Sequence, residues 1–228
     1  MKSKSISFHV EKEDRVGFVI PTHFGGLPYI VAQFILSLRL TGYIGQYTYL
    51  VATYGKMCGQ VHYQLNKLLK KQGIILNGMF CIKMVDTWTP VFDLSNQQKI
   101  TNKTHHALPY IHEAVSLVKR NTCGNFMKGT YPHLLAAFYY KIYSIRRRTH
   151  YFHVLNSCTG CGLCAKLCPM NTIEIVNKRP RWKLEKCTLC LGCLHQCPHF
   201  SIQYGKKTFR HGQYVNPYVK HLMKTTKL

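Results

Sequence analysis

Apolar and polar positions alternate along this chain in two textures. Between residues 16 and 84, short apolar runs are separated by helical patterns. Residues 16–20 form an unbroken apolar run of strand length, and 21–26 carry turn chemistry. Residues 27–40 have helical spacing, with Pro28 near the first turn, where its missing N–H costs nothing, and Gly42 closing the element. A second strand is predicted over 47–53, leading into a loop over 54–59. Val61, Leu65, Leu68 and Leu69 recur at i, i+4, i+7 and i+8 and predict a helix that Gly73 ends. A third strand covers about 76–84. Strands alternating with helices imply right-handed crossovers and a parallel sheet.

The middle is less regular. Residues 86–104 read as a loop with turns, and 112–120 and 132–145 as helices. The second runs into Arg146-Arg147-Arg148, a charge pattern suited to a helix C-terminus. Nothing before Val16 reads as a strand.

From Tyr151 the pattern becomes an internal repeat. Cys158-x2-Cys161-x2-Cys164-x3-Cys168-Pro169 returns 29 residues later as Cys187-x2-Cys190-x2-Cys193-x3-Cys197-Pro198. A β-like segment follows each copy, at 172–175 and 200–202. Asn177-Lys178 is turn chemistry for a hairpin whose return strand includes Arg181 to Leu184.

Composition narrows the possibilities. The chain of 228 residues is 46% hydrophobic, too apolar for a disordered segment. It has no unbroken apolar run of about 18 residues, so no transmembrane segment is expected. The stretch 134–143 is interrupted by Lys141, and residues 1–15 lack the apolar region of a signal peptide. A cytoplasmic location is expected. Eight of the 11 cysteines lie between Cys158 and Cys197; under reducing conditions such clustering argues for metal or cofactor ligation over disulfides. Only eight acidic residues face 31 Lys and Arg, a formal charge of +23. Such a field attracts acidic redox partner proteins, nucleic acid or a membrane surface, but with no Lys/Arg block longer than Arg146-Arg147-Arg148 a generally basic solvated surface is the first reading. A structural-cluster protein binding nucleic acid is the weaker alternative, because no helix-turn-helix or aromatic–basic stripe is evident.

The cysteine spacing carries the chemistry. Three closely spaced thiolates reach three irons of one cubane, and the fourth, before proline, is turned away from them. Zinc folds space their cysteine pairs by longer loops, which makes zinc, or a bare thiol protein, the poorer reading. Gly160, Gly162, Thr159, Thr188 and Gly192 allow close backbone approach, with amide N–H groups directed at sulfur. His195 and His199 flank a ligand, and packing or surface roles suit them best. No catalytic acid, base or nucleophile constellation is present, which favours a one-electron shuttle; an oxidoreductase or oxidoreductase subunit is the alternative.

These motifs resemble the bacterial-type two-[4Fe–4S] ferredoxins. The resemblance assigns Cys158, Cys161, Cys164 and Cys197 to one cluster, and Cys187, Cys190, Cys193 and Cys168 to the other. Upstream, Pro21 to Pro28 followed by an apolar helix, with the loop at Thr53 to Gly59, resembles part of a flavodoxin-like domain. The join of the two resembles the bacterial EFR-family flavodoxin–ferredoxin fusions, whose tail pattern is matched by Tyr204 to Thr208, Arg210, Tyr214 and Pro217; a shuttle of this kind is expected in an anaerobic or low-oxygen cytoplasm. This resemblance implies that Thr22, His23, Phe24 and Gly25, with Thr53, Tyr54, Gly55 and Gly59, flank the ring of FMN. The first strand and phosphate loop of such domains are missing before Val16, as in an N-terminally truncated domain or one reduced to a scaffold, which argues against FMN binding and implies two raw sheet edges. The expected fold is thus an incomplete α/β flavodoxin-like parallel sheet followed by an α+β ferredoxin domain with two pseudo-symmetric halves. The expected divisions are 1–104 for the partial flavodoxin-like domain, 105–150 for a helical linker, 151–204 for the ferredoxin domain and 205–228 for a basic tail.

Overall fold

The computed structural model describes residues 5–218, the side chain of His133 excepted. The end of the expected basic tail, 219–228, lies outside the described residues. The chain divides into two compact units. One runs to Val85 and includes His105–Ser144; the other comprises Asp86–Thr104 and the chain from Ile145 onward.

The first unit holds a four-stranded parallel sheet. Strands β2 (Val16–Pro21), β4 (Thr48–Tyr54), β5 (Gly78–Lys83) and β6 (Gly124–Asn125) lie in that order. Helices α1 (Tyr29–Ser37) and α2 (Val61–Lys70) supply Ile35, Val61, Leu65 and Leu69 to a core shared with Phe18, Ile20, Leu50 and Ala52. The opposite face packs Val51, Phe80 and Ile82 against Ala107 and Ala114 of α3 (Gln97–Lys119). Burying a leucine such as Leu50 contributes about 2–3 kcal/mol. At the β2 edge Val19 remains 68% exposed.

Three sequence expectations need correction here. A strand does precede Val16: β1 (Ile6–His9) pairs in parallel with β3 (Leu38–Thr41), outside the main sheet. The helix expected to Leu40 therefore ends at Ser37, because Leu38 and Leu40 alternate with Arg39 and Thr41 in strand fashion. Residues 97–104, expected as loop, form the start of α3. Its contact positions Ile100, Thr104, Ala107, Ile111 and Ala114 keep helical spacing but are too mixed in polarity to stand out. Asn96 caps it, its side-chain oxygen accepting the Lys99 N–H at 2.9 Å. Pro109 sits within the helix.

α4 (His133–Arg146) is followed by a 3-10 turn at Thr149–Tyr151 and by β7 (Phe152–Val154). In the second unit β7 pairs antiparallel with β10 (Ile202–Tyr204), and β8 (Ile173–Val176) with β9 (Arg179–Trp182). The strand ahead of each cysteine motif thus pairs with the strand behind the other. The hairpin joins at Asn177 and Lys178, both with positive φ (49° and 58°), the primed-turn geometry that matches strand twist. One short helical turn follows the start of each motif, α5 (Leu163–Lys166) and α6 (Gly192–His195), and α7 (Thr208–His211) closes the described chain.

Candidate metal centre

Each cysteine motif folds as a loop with three left-handed residues. In the first copy they are Gly160, Gly162 and Asn171; in the second, 29 positions on, Leu189, Leu191 and Phe200. These turns wrap the backbone so that the first three thiols share a side, and they lead directly into α5 and α6. Behind each fourth cysteine the chain turns back. Asn171 and Phe200 donate to the carbonyls of Cys168 and Cys197 at 2.9 and 3.0 Å. Thr172 and Ser201 direct backbone N–H groups at the Cys168 and Cys197 sulfurs, both at 3.3 Å, and Leu189 does the same for Cys187 at 3.3 Å. Backbone donors aimed at sulfur stabilise thiolate character and are typical of the outer shell of thiolate-bound metals.

The thiols line two cavities of nearly equal size, about 350 and 330 Å³ of empty space including the open mouth. The first is lined by Cys158, Cys161, Cys164 and Cys197. Cys168, Cys187, Cys190 and Cys193 line the second. Each cavity therefore takes three cysteines from one motif and the last from the other. Among the described residues, no three His, Cys, Asp or Glu side chains are grouped so as to hold a metal ion; each sulfur set surrounds a cavity. Four thiols round a space of this kind, with backbone N–H groups turned to sulfur, fit a polynuclear iron–sulfur cluster.

Burial pushes the Cys187 thiol up to about 11, and loss of hydration raises Cys193 well above its ordinary value, with neighbouring thiols adding to both. Both therefore stay protonated at neutral pH without a cation, so metal uptake has to displace these protons. The second cysteine of each motif, Cys161 and Cys190, is an exposed residue, although burial of its sulfur still raises the Cys190 thiol.

His195 is a packing residue. Its Nε2 donates to the Thr87 carbonyl at 2.9 Å, and its Nδ1 accepts the Tyr214 N–H at 3.2 Å, which fixes one neutral tautomer. Burial lowers its pKa accordingly. His199 is exposed at the first cavity. Arg147, from the arginine run, is buried and donates to the Cys187 carbonyl at 3.2 Å. The pattern of a charged helix end gave no sign of that anchor.

The residues implied for flavin also come together, in the first unit, at the C-terminal ends of β2 and β4. The Thr22 N–H donates to the Thr53 carbonyl at 2.8 Å, and the Gln60 N–H to Gly25 at 2.8 Å. His23 and Gly26 exchange two backbone hydrogen bonds. Gly59 approaches the Gly25 backbone so closely that a Cβ there would lie 2.2 Å from the Gly25 carbonyl oxygen. Tyr54 belongs to β4, and Gly55 follows it.

Phe24, His23 and Gly25 of this set are packed against tyrosines. Phe24 stacks on Tyr143 (5.3 Å, 23°), His23 meets the edge of the same ring, and the Tyr131 hydroxyl fills the position a Gly25 side chain would take.

Residues 150–198 match a family model described as a 4Fe-4S dicluster domain, and residues 120–172 match a second model of the same description, overlapping the first. An uncharacterized polyferredoxin-like protein of Methanocaldococcus jannaschii is 36% identical over 58 residues, covering 20% of this chain. The alignment takes in 34% of that relative's length, about a third. No solved structure matches. The cysteine-rich part of the chain is a ferredoxin-type, iron–sulfur region. No helix among the described residues is long and apolar enough to cross a membrane.

Proposed function

We propose that this chain is an electron carrier holding two [4Fe–4S] clusters, passing single electrons between redox partner proteins. The observation that carries the reading is the crossed lining of the two cavities, three cysteines from one motif and one from the other in each. Cys158, Cys161, Cys164 and Cys197 would hold one cluster, and Cys187, Cys190, Cys193 and Cys168 the other. When bound, each cluster supplies a reversible one-electron couple at the protein surface. The chain's own contribution is to set the ligand positions, direct the N–H groups of Thr172, Leu189 and Ser201 at sulfur, and pack Leu191, Leu194 and Ile202 behind the cavities to limit water. Electron passage needs no proton donor or nucleophile. The ferredoxin domain of this proposal spans 151–204, and a cytoplasmic, low-oxygen setting suits such clusters.

The first unit is proposed as a reduced flavodoxin-like scaffold, as in the EFR-family fusions. Its parallel strand order and its helices on both faces support that reading. An FMN-dependent oxidoreductase is the second reading, and the tyrosines packed on Phe24 and Gly25 speak against it.

Iron and acid-labile sulfide analysis of anaerobically purified full-length protein, with flavin extraction and EPR, tests the proposal. About eight irons and eight sulfides per chain without flavin are expected from two cubanes. Colourless protein carrying zinc would overturn it, and stoichiometric flavin would restore the second reading.

A further inference from the structure

In the second unit, the segments 148–154 and 180–185 flank an open groove of about 1140 Å³ of empty space including its mouth. Their mutual position is fixed. The Thr149 N–H and hydroxyl donate to the carbonyls of Glu185 (2.8 Å) and Leu184 (2.6 Å), and Phe152 stacks on Trp182 at 4.7 Å and 8°. The floor has a particular property. Phe152 and Trp182 also line the second cysteine cavity, and Pro180 also lines the first. Anything seated in the groove is separated from both cavities by the thickness of one side chain.

The rim is cationic. Arg148, Arg181 and Lys183 line it, joined by His150 and His153, against the single carboxylate of Glu185. The three permanent cations are exposed and make no ion pair among the described residues. A fixed apolar floor inside a ring of unpaired positive charge is complementary to a carboxylate-rich protein surface, and unlike-charge attraction of this kind steers encounter more than it tightens binding.

We infer that this groove is where the acidic face of a protein redox partner docks, with Phe152, Pro180 and Trp182 forming the wall between that partner and both cysteine cavities. The inference rests on the iron–sulfur reading above. A charge-steered contact of this kind belongs to the transient class typical of electron-transfer encounters. The transfer is balanced as one electron leaving reduced holo-protein and one entering the oxidised partner, with no bond made or broken.

Isothermal titration of the full-length holo-protein with an acidic plant-type [2Fe–2S] ferredoxin as probe tests the groove directly. Binding is expected to weaken about tenfold or more between about 20 and about 200 mM salt. At low salt the triple variant Arg148→Glu/Arg181→Glu/Lys183→Glu is expected to weaken it by about tenfold or more again. A control with the same change in charge, Lys67→Glu/Lys70→Glu/Lys71→Glu at the end of α2, should shift Kd by less than about threefold. Electron delivery from dithionite-reduced holo-protein to the probe should slow in step with Kd in the groove variant. Should the triple variant fail to retain iron, Arg181→Gln alone gives the same comparison, with a smaller expected loss of about threefold.

Equal weakening in the groove and α2 variants would overturn the inference, since net charge alone would then explain binding. Unchanged probe binding in a groove variant that no longer binds poly(U) RNA would also overturn it, in favour of a nucleic-acid site. Failure of the underlying reading looks different: wild-type protein without iron or sulfide, whatever it binds.

Discussion

Leu189 holds the same left-handed backbone conformation as Gly160, its counterpart 29 residues earlier, with φ of 53° against 73°. The two positions reach one loop geometry by opposite means. At Gly160 there is no room for a side chain, because a Cβ would lie 2.5 Å from the Lys178 carbonyl oxygen. At Leu189 a side chain is present and 4% exposed, so burial offsets a left-handed cost of about 1–2 kcal/mol. Gly160→Ala is expected to destabilise the folded protein by about 1–3 kcal/mol, through strain and contact together. Leu189→Gly relieves the strain yet still destabilises by about 1–3 kcal/mol, because the lost packing is the larger effect. Urea midpoints of anaerobic samples measure both, and a stabilised Leu189→Gly would contradict the balance.

Crossed ligation makes an asymmetric prediction. Cys168→Ala belongs to the first motif but lines the second cavity, whereas Cys197→Ala belongs to the second and lines the first. The cluster disturbed by Cys168→Ala should therefore be the one also disturbed by Cys190→Ala, and Cys197→Ala should pair with Cys161→Ala. EPR of the four variants groups them; grouping by motif instead would show that ligation is not crossed.

Cys81, in the first unit, has its thiol drawn below the ordinary range. A hydrogen bond from Cys58 lowers its pKa, burial opposes this, and the Lys128 N–H at 3.0 Å lowers it further, to about 6. The thiolate share of Cys81 at pH 7 is thus expected to exceed that of an ordinary thiol, and protonation removes it as pH falls. Iodoacetamide labelling followed by peptide mass analysis should modify Cys81 readily at pH 7, with a rate that drops about tenfold per unit below pH 6. Cys58, fully buried, should stay unmodified. Cys58→Ala removes the hydrogen bond and should move the labelling profile to higher pH; an unmoved profile would refute the assignment.

Asn96 is the start signal of α3. Asn96→Ala removes the acceptor of the Lys99 N–H and should cost about 1 kcal/mol, readable as a lower urea midpoint, while Asn96→Asp should retain most of the stability.

Much of this was legible in the chain itself. The strands at 16–20, 47–53 and 76–84, the helix carrying Val61, Leu65 and Leu69, and the Asn177-Lys178 turn follow from local periodicity and turn chemistry, which neighbouring residues alone dictate. The cysteine spacing belongs to the same class. Helix α3 escaped because its buried face is built from Thr104, Ala107 and Ala114, whose burial depends on partners distant in sequence. Strand β3 escaped because its alternation spans only the four residues Leu38–Thr41, directly behind a helical pattern, and its partner β1 lies about 30 residues earlier.

The sequence by itself determined which residues bear sulfur, how they repeat and where the chain must turn, because those are properties of adjacent residues. Only the tertiary structure decided that Tyr131 and Tyr143 close over the loops at Gly25 and Phe24, that Arg147 is an anchor, and that Phe152, Pro180 and Trp182 stand between a cationic groove and both cavities. Those relations join segments tens of residues apart, and packing, which is blind to sequence distance, is what sets them.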